Sequence, residues 1–253
     1  MRLRIGLVAT VMALLLAPAA MSTSRSAIVR VVDVGSGAHE VWVFIPEGKP
    51  DCLLTFVHDD GDISPARYTS WLDYTALNDH CAIVFPRYQA KAHSTPAANL
   101  AGLRAGIAAG VAFIRANSTA DPSTAPQVAA GLGSGATLAI ALTVNARQWG
   151  FRAPSALDVV FPVISDQTPL PGARIGARVH ALIQFGDHDT AAARSSAQAV
   201  RHYFAARRAG LTQIRMVRST AAFTADHGAP LRVDTPSENA FWGPLDNLIG
   251  LIT

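Results

Sequence analysis

Charge is scarce in this chain: Asp, Glu, Lys and Arg make up 15% of its 253 residues, while half are hydrophobic. So little charge beside so much apolar content excludes an extended disordered protein. No sequence period recurs, and glycine (19) and proline (15) stand near ordinary levels, which excludes solenoid, collagen-like and low-complexity architectures. Lysine and arginine form no cluster along the chain. The formal net charge is +3, but removing residues 1–20 takes away Arg2 and Arg4 and leaves 19 basic residues against 18 acidic ones. A nearly neutral body without a basic patch has no electrostatic footprint for nucleic acid, and none is expected as a partner. The metal-ligand spacings H-x-E, HExxH and C-x-x-C are absent too, so neither a metal nor a cofactor is expected.

Long apolar runs are also missing. The N-terminus carries Arg2 and Arg4, then an uncharged run from Ile5 to Leu16, then small residues around Ala17-Pro18-Ala19. That order predicts a signal peptide over residues 1–20, cut near 19–22, and a secreted or periplasmic protein. A spanning helix needs about 20 apolar residues, so no stable membrane span is expected in the mature form. Cysteine is nearly absent. The two residues present, Cys52 and Cys81, each precede an apolar run, LLTFV and AIVFP. If those runs are parallel neighbouring strands, a Cys52–Cys81 disulfide is geometrically feasible; two buried thiols are the alternative.

What remains alternates. Strand-like runs are expected at 27–34, 40–46, 52–57, 81–85, 127–130, 157–164, 179–185 and 213–217. Helical spacing falls at 66–78, 99–116, 136–147, 191–209 and 239–252. Continuous apolar strands alternating with helices predict an α/β domain over residues 27–253: a mainly parallel eight-stranded sheet with helices on both faces. Such sheets place their sites beyond the carboxyl ends of the strands. The polar candidates fall there, at His58–Gly61, Gly131–Gly135, Asp187–Thr190 and Asp226-His227.

Their order, a glycine-rich bend, then an acid, then a histidine, resembles that of the α/β-hydrolase superfamily. His58-Asp59-Asp60-Gly61 is similar to that family's oxyanion loop, and Phe185-Gly186-Asp187-His188-Asp189-Thr190 to the segment presenting the triad acid, here Asp189. Ala225-Asp226-His227-Gly228 is similar to the loop carrying the triad histidine, here His227, and Phe241–Asp246 resembles the end of some secreted members. The resemblance implies an ester or acyl hydrolase. Only a short Pro/Gly-rich connection joins Ile164 to Val179, so no lid domain is expected, and an open cleft suits a small polar or polymer-borne ester.

At the nucleophile the pattern breaks. Laying Gly131-Leu132-Gly133-Ser134-Gly135 on G-x-S-x-G puts Gly133 at the attacking position, and glycine has no side chain to attack with. In that register Ser134 offers only its N–H, as an oxyanion donor. Asp59 stands where the oxyanion loop wants glycine, with His58 and Asp60 beside it. A weakened or silent enzyme is the first reading, with Gly133→Ser expected to restore hydrolysis. In the second, a shifted bend makes Ser134 the nucleophile of an active carboxylic-ester hydrolase with Asp189 and His227. In the third, Gly131-x-Gly133-x-x-Ala136 is a dinucleotide fingerprint; that motif wants an acid ending the next strand, and Asp158 is expected to precede its strand instead.

Overall fold

The computed structural model describes residues 29–173, 175–206 and 212–253, so the expected signal peptide lies outside the described residues. Eight strands form one sheet in the order β1-β2-β4-β3-β5-β6-β7-β8. They are β1 (Val29–Val34), β2 (Val41–Pro46), β3 (Cys52–Val57), β4 (Cys81–Pro86), β5 (Gln127–Leu132), β6 (Ala156–Val160), β7 (His180–Gly186) and β8 (Thr212–Val217). β2 runs antiparallel to β1 and β4, and the remaining pairs are parallel.

Every residue of β3, β4, β5 and β6 is buried, as helices on both faces require. One face packs Phe56, Leu54 and Val160 against Tyr68, Trp71 and Leu72 of α1 (Thr69–Asn78) and its approach, and against Leu245 and Ile249 near the C-terminus. The other face packs against α2 (Pro96–Asn117), α3 (Ser134–Asn145) and α4 (Ala191–Ala206) through Leu103, Ile107, Leu138, Leu142, Val200 and Phe204. By length and composition α2 is apolar enough to cross a membrane. Its Leu103, Ile107 and Ile114 are instead buried in the protein core.

Cap chemistry explains where periodicity and structure differ. Helix α2 starts three residues before the apolar pattern, because the Thr95 side chain accepts the Ala98 N–H at 3.3 Å and Pro96 occupies the first turn. Strand β6 ends at Val160 rather than 164, because Phe161 turns to φ +46°. Asp158, expected ahead of its strand, lies inside β6 and is fully buried. The chain then runs through α5 (Thr235–Ser237), a π-helical turn (Glu238–Trp242) and α6 (Gly243–Gly250), where the Tyr74 hydroxyl donates to Asp246 at 2.7 Å.

Cys52 and Cys81 are paired residues at the starts of β3 and β4, with Cα atoms 4.6 Å apart, and they form a disulfide. Neighbouring parallel strands brought the two starts together, as expected.

Candidate functional site

Strand order sets the site. The chain leaves β3 to one side to make β4, then crosses back to make β5 on the other side of β3. The carboxyl ends of β3 and β5 therefore flank a topological switch point, the usual ligand crevice of an open α/β sheet. The loop after β3 delivers His58–Asp60, and the bend after β5 delivers Gly133 and Ser134.

Gly133 has φ +61° and ψ −124°, a conformation that favours glycine. Its N–H is tied to Val160 O and its carbonyl accepts from Val163 N, both at 3.0 Å. A Cβ built on Gly133 overlaps the carboxylate of Asp59. The space next to the apex of the bend is thus filled by a side chain from the neighbouring loop.

Asp59 is held by three groups. Its Oδ1 accepts the backbone N–H of Asp60 and of Ser134, each at 2.8 Å, and its Oδ2 lies 2.9 Å from His227 Nε2. Burial opposes the charge, but His227 and the two N–H groups outweigh it and keep the carboxyl below the ordinary aspartate range. The loop beneath is rigid. His58 is completely buried, with ring nitrogens 2.6 Å from Asp59 O and 2.7 Å from Arg87 O, and its ring stacks on Tyr88 at 4.2 Å. Burial pushes that imidazole below its usual pKa while the two carbonyls on its ring nitrogens pull the other way, and the paired contacts anchor the loop. Asp60 turns away, accepting from Gln89 Nε2 at 3.1 Å and from the His93 N–H at 3.0 Å.

His227 comes from the loop after β8. Its Nε2 faces Asp59, and its Nδ1 lies 3.7 Å from Asp189 Oδ1, an ion-pair separation too long for a hydrogen bond. The carboxylates of Asp189 and Asp59 together push the imidazole up to about 9 against the cost of burial. At neutral pH the ring is therefore an imidazolium, with no lone pair to take a proton from a nucleophile. Phe161 closes the other side, its ring centroid 5.5 Å from that of His227. That residue holds φ +46°, and sparsely populated backbone of this kind gathers at functional sites.

Ser134 is buried as the first residue of α3. Its N–H goes to Asp59, and no hydrogen bond joins its hydroxyl to His227. Asp189 and Asp187 share one loop but face different ways. Asp187 accepts from the Ser219 N–H at 2.9 and 3.0 Å and from its hydroxyl at 2.6 Å, bracing the segment that leads to His227. Thr190 caps α4 by accepting the Ala193 N–H at 3.1 Å. Asp189, freed of that task, is buried beside His227.

No family model and no curated protein sequence matches the chain. Solved structures do. It superimposes on carboxyl esterase 2 from the mycorrhizal fungus Tuber melanosporum with TM-score 0.69 at 11% identity, covering 91% of this chain and 90% of that one. A Pyrobaculum calidifontis esterase gives 0.68 at 13% (88% and 86%), and a thermostable esterase from Pseudomonas putida gives 0.66 at 13% (90% and 84%). The chain has the α/β-hydrolase fold. In an α/β-hydrolase fold the strained bend between this strand and helix carries the nucleophile. Here the bend keeps its backbone shape around Gly133 while Asp59 fills the room beside it. Asp59 occupies the Ser134 N–H that an oxyanion would need, and one expectation changes accordingly. Gly133→Ser alone cannot be accommodated without displacing that carboxylate.

Sequence reasoning missed Phe161, Tyr68 and Ser219. Tyr68 receives the Asp59 N–H at 2.9 Å and donates to Asp62 at 2.8 Å, yet in sequence it reads only as an apolar helix position. Among the described residues no group of His, Cys, Asp and Glu is arranged to hold a metal.

Proposed function

We propose that this protein is a secreted or periplasmic member of the ester-hydrolase lineage whose nucleophile station is closed by an internal ion pair, leaving it silent toward esters. One observation carries the reading: the Asp59 carboxylate lies over Gly133, on the Ser134 N–H and against His227 Nε2, so that nucleophile space, oxyanion donor and general base share one occupant. The esterase likeness of the fold neighbours supports the lineage, and the disulfide fits an oxidising compartment.

The mature protein should neither turn over short-chain nitrophenyl esters nor be labelled by a fluorophosphonate probe. Labelling that disappears in Ser134→Ala would overturn the silent reading in favour of an active Ser134–His227–Asp189 hydrolase taking small or polymer-borne esters. The dinucleotide reading fares worse, because a fixed carboxylate at the first N–H of α3 repels the phosphate that motif is built to hold.

A further inference from the structure

Two cavities open at the end of the sheet opposite Asp59 and His227, where β5, β6 and β7 begin. One has a volume of about 680 Å³ and is lined by Arg147, Arg152 and Arg178 with Ser123 and Ser155. The second, about 430 Å³, shares Arg147, Arg152 and Ser123 with it and adds Arg115. Among the described residues no carboxylate lines either cavity, and Arg147, Arg152 and Arg178 have no ion-pair partner. Asp121, the acid near Arg115, is engaged by the Ser123 N–H at 3.0 Å and the Ser123 hydroxyl at 2.7 Å. Arg152 is already oriented, because its Nη1 donates to Thr124 O at 2.7 Å and Ser123 O at 3.3 Å.

Arg147, Arg152 and Arg178, with Arg115 beside them, line adjoining hollows to which no carboxylate among the described residues contributes, and so leave positive charge there for an anion to neutralise. Planar guanidinium forks match the oxygens of phosphate or sulfate in bidentate fashion, and the serine hydroxyls add neutral donors. Each volume lies in the range of small-ligand sites. We infer that the paired cavities are a binding site for a small multivalent oxyanion, a molecule bearing two or more phosphate or sulfate groups, independent of the Asp59–His227 centre.

Calorimetric titration of the intact protein with pyrophosphate, a disulfated sugar and, as monovalent control, acetate tests this. Saturable binding of pyrophosphate or the disulfated sugar is expected, with the tighter of the two naming the source and acetate failing. Affinity should fall steeply with salt, as exposed charge pairs do. An Arg147→Gln/Arg178→Gln variant with an unchanged melting temperature should bind at least about tenfold more weakly. Acetate binding as well as pyrophosphate, no saturation by either polyanion, or undiminished binding in the double variant would each overturn the site. None of these outcomes bears on whether the protein cleaves esters.

Discussion

Asp59 and Asp158 are both withdrawn from water, and they respond in opposite directions. Asp59, at the carboxyl end of β3, meets two backbone N–H groups and an imidazolium, and is held in its charged form. Asp158, in the middle of β6, is completely buried; Gln184 Nε2 reaches both its oxygens at 3.1 Å and Arg215 contributes from a distance, yet burial pushes its pKa up to about 7. Depth alone does not decide charge. The number of donors, and whether one is a contacting cation, does.

The contrast breaks most visibly if the Asp59 carboxylate is removed and a hydroxyl supplied. Asp59→Gly/Gly133→Ser should hydrolyse nitrophenyl acetate on the order of a hundredfold faster than either single variant, the low end of what a positioned general base provides. Both singles should stay at background, since each lacks either the nucleophile or the room for it. A rate for Gly133→Ser alone equal to the double variant's would show that Asp59 blocks nothing.

Next in size, Gly133→Ser alone should lower stability by about 2–3 kcal/mol in urea unfolding, through the overlap with Asp59 and the positive φ. Asp158→Asn sharpens the other arm. A carboxyl raised on folding from its ordinary 3.8 to about 7 is most stabilising below the former and loses that contribution as pH rises through the latter. The variant should therefore match the parent near pH 5 and exceed it by about 2 kcal/mol near pH 9, read from paired melting curves.

The smallest effect belongs to the ion pair itself. His227 is raised on folding from 6.5 to about 9, so its contribution is complete below 6.5 and fades as pH climbs to 9. Asp59 is lowered, so its contribution is complete above 3.8 and fades as pH falls through its depressed value. The ring is 36% exposed, and after solvent screening about 1 kcal/mol should separate pH 6.5 from pH 9.5. In Asp59→Asn that decline should shrink, and the His227 ring protons followed by NMR should titrate at a lower pH. An unchanged titration would show that Asp59 does not hold the charge.

Much of this architecture was legible beforehand. Wholly apolar strands separated by helical spacing require a covered parallel sheet, and the loops at 58–61, 131–135, 187–190 and 226–227 follow from where strands end. Local chemistry also marked Gly133 as unable to attack. The role of Asp59 was not legible, because it depends on which loop lies across β3 and β5 and on an oxygen meeting a hydrogen 75 residues away in sequence. Phe161 was hidden for a similar reason: its backbone turn is visible only where β6 stops.

The amino-acid order by itself set the alternation, the glycine at the apex and the positions of His227 and Asp189, since these depend on side-chain type and short-range period. Folding decided what faces what. It placed a carboxylate in the space a glycine leaves, joined Cys52 to Cys81, and gathered Arg115, Arg147, Arg152 and Arg178, which are scattered along the sequence, around two hollows. Coulomb energy and hydrogen bonding depend on distance through space, and chain order does not carry that distance.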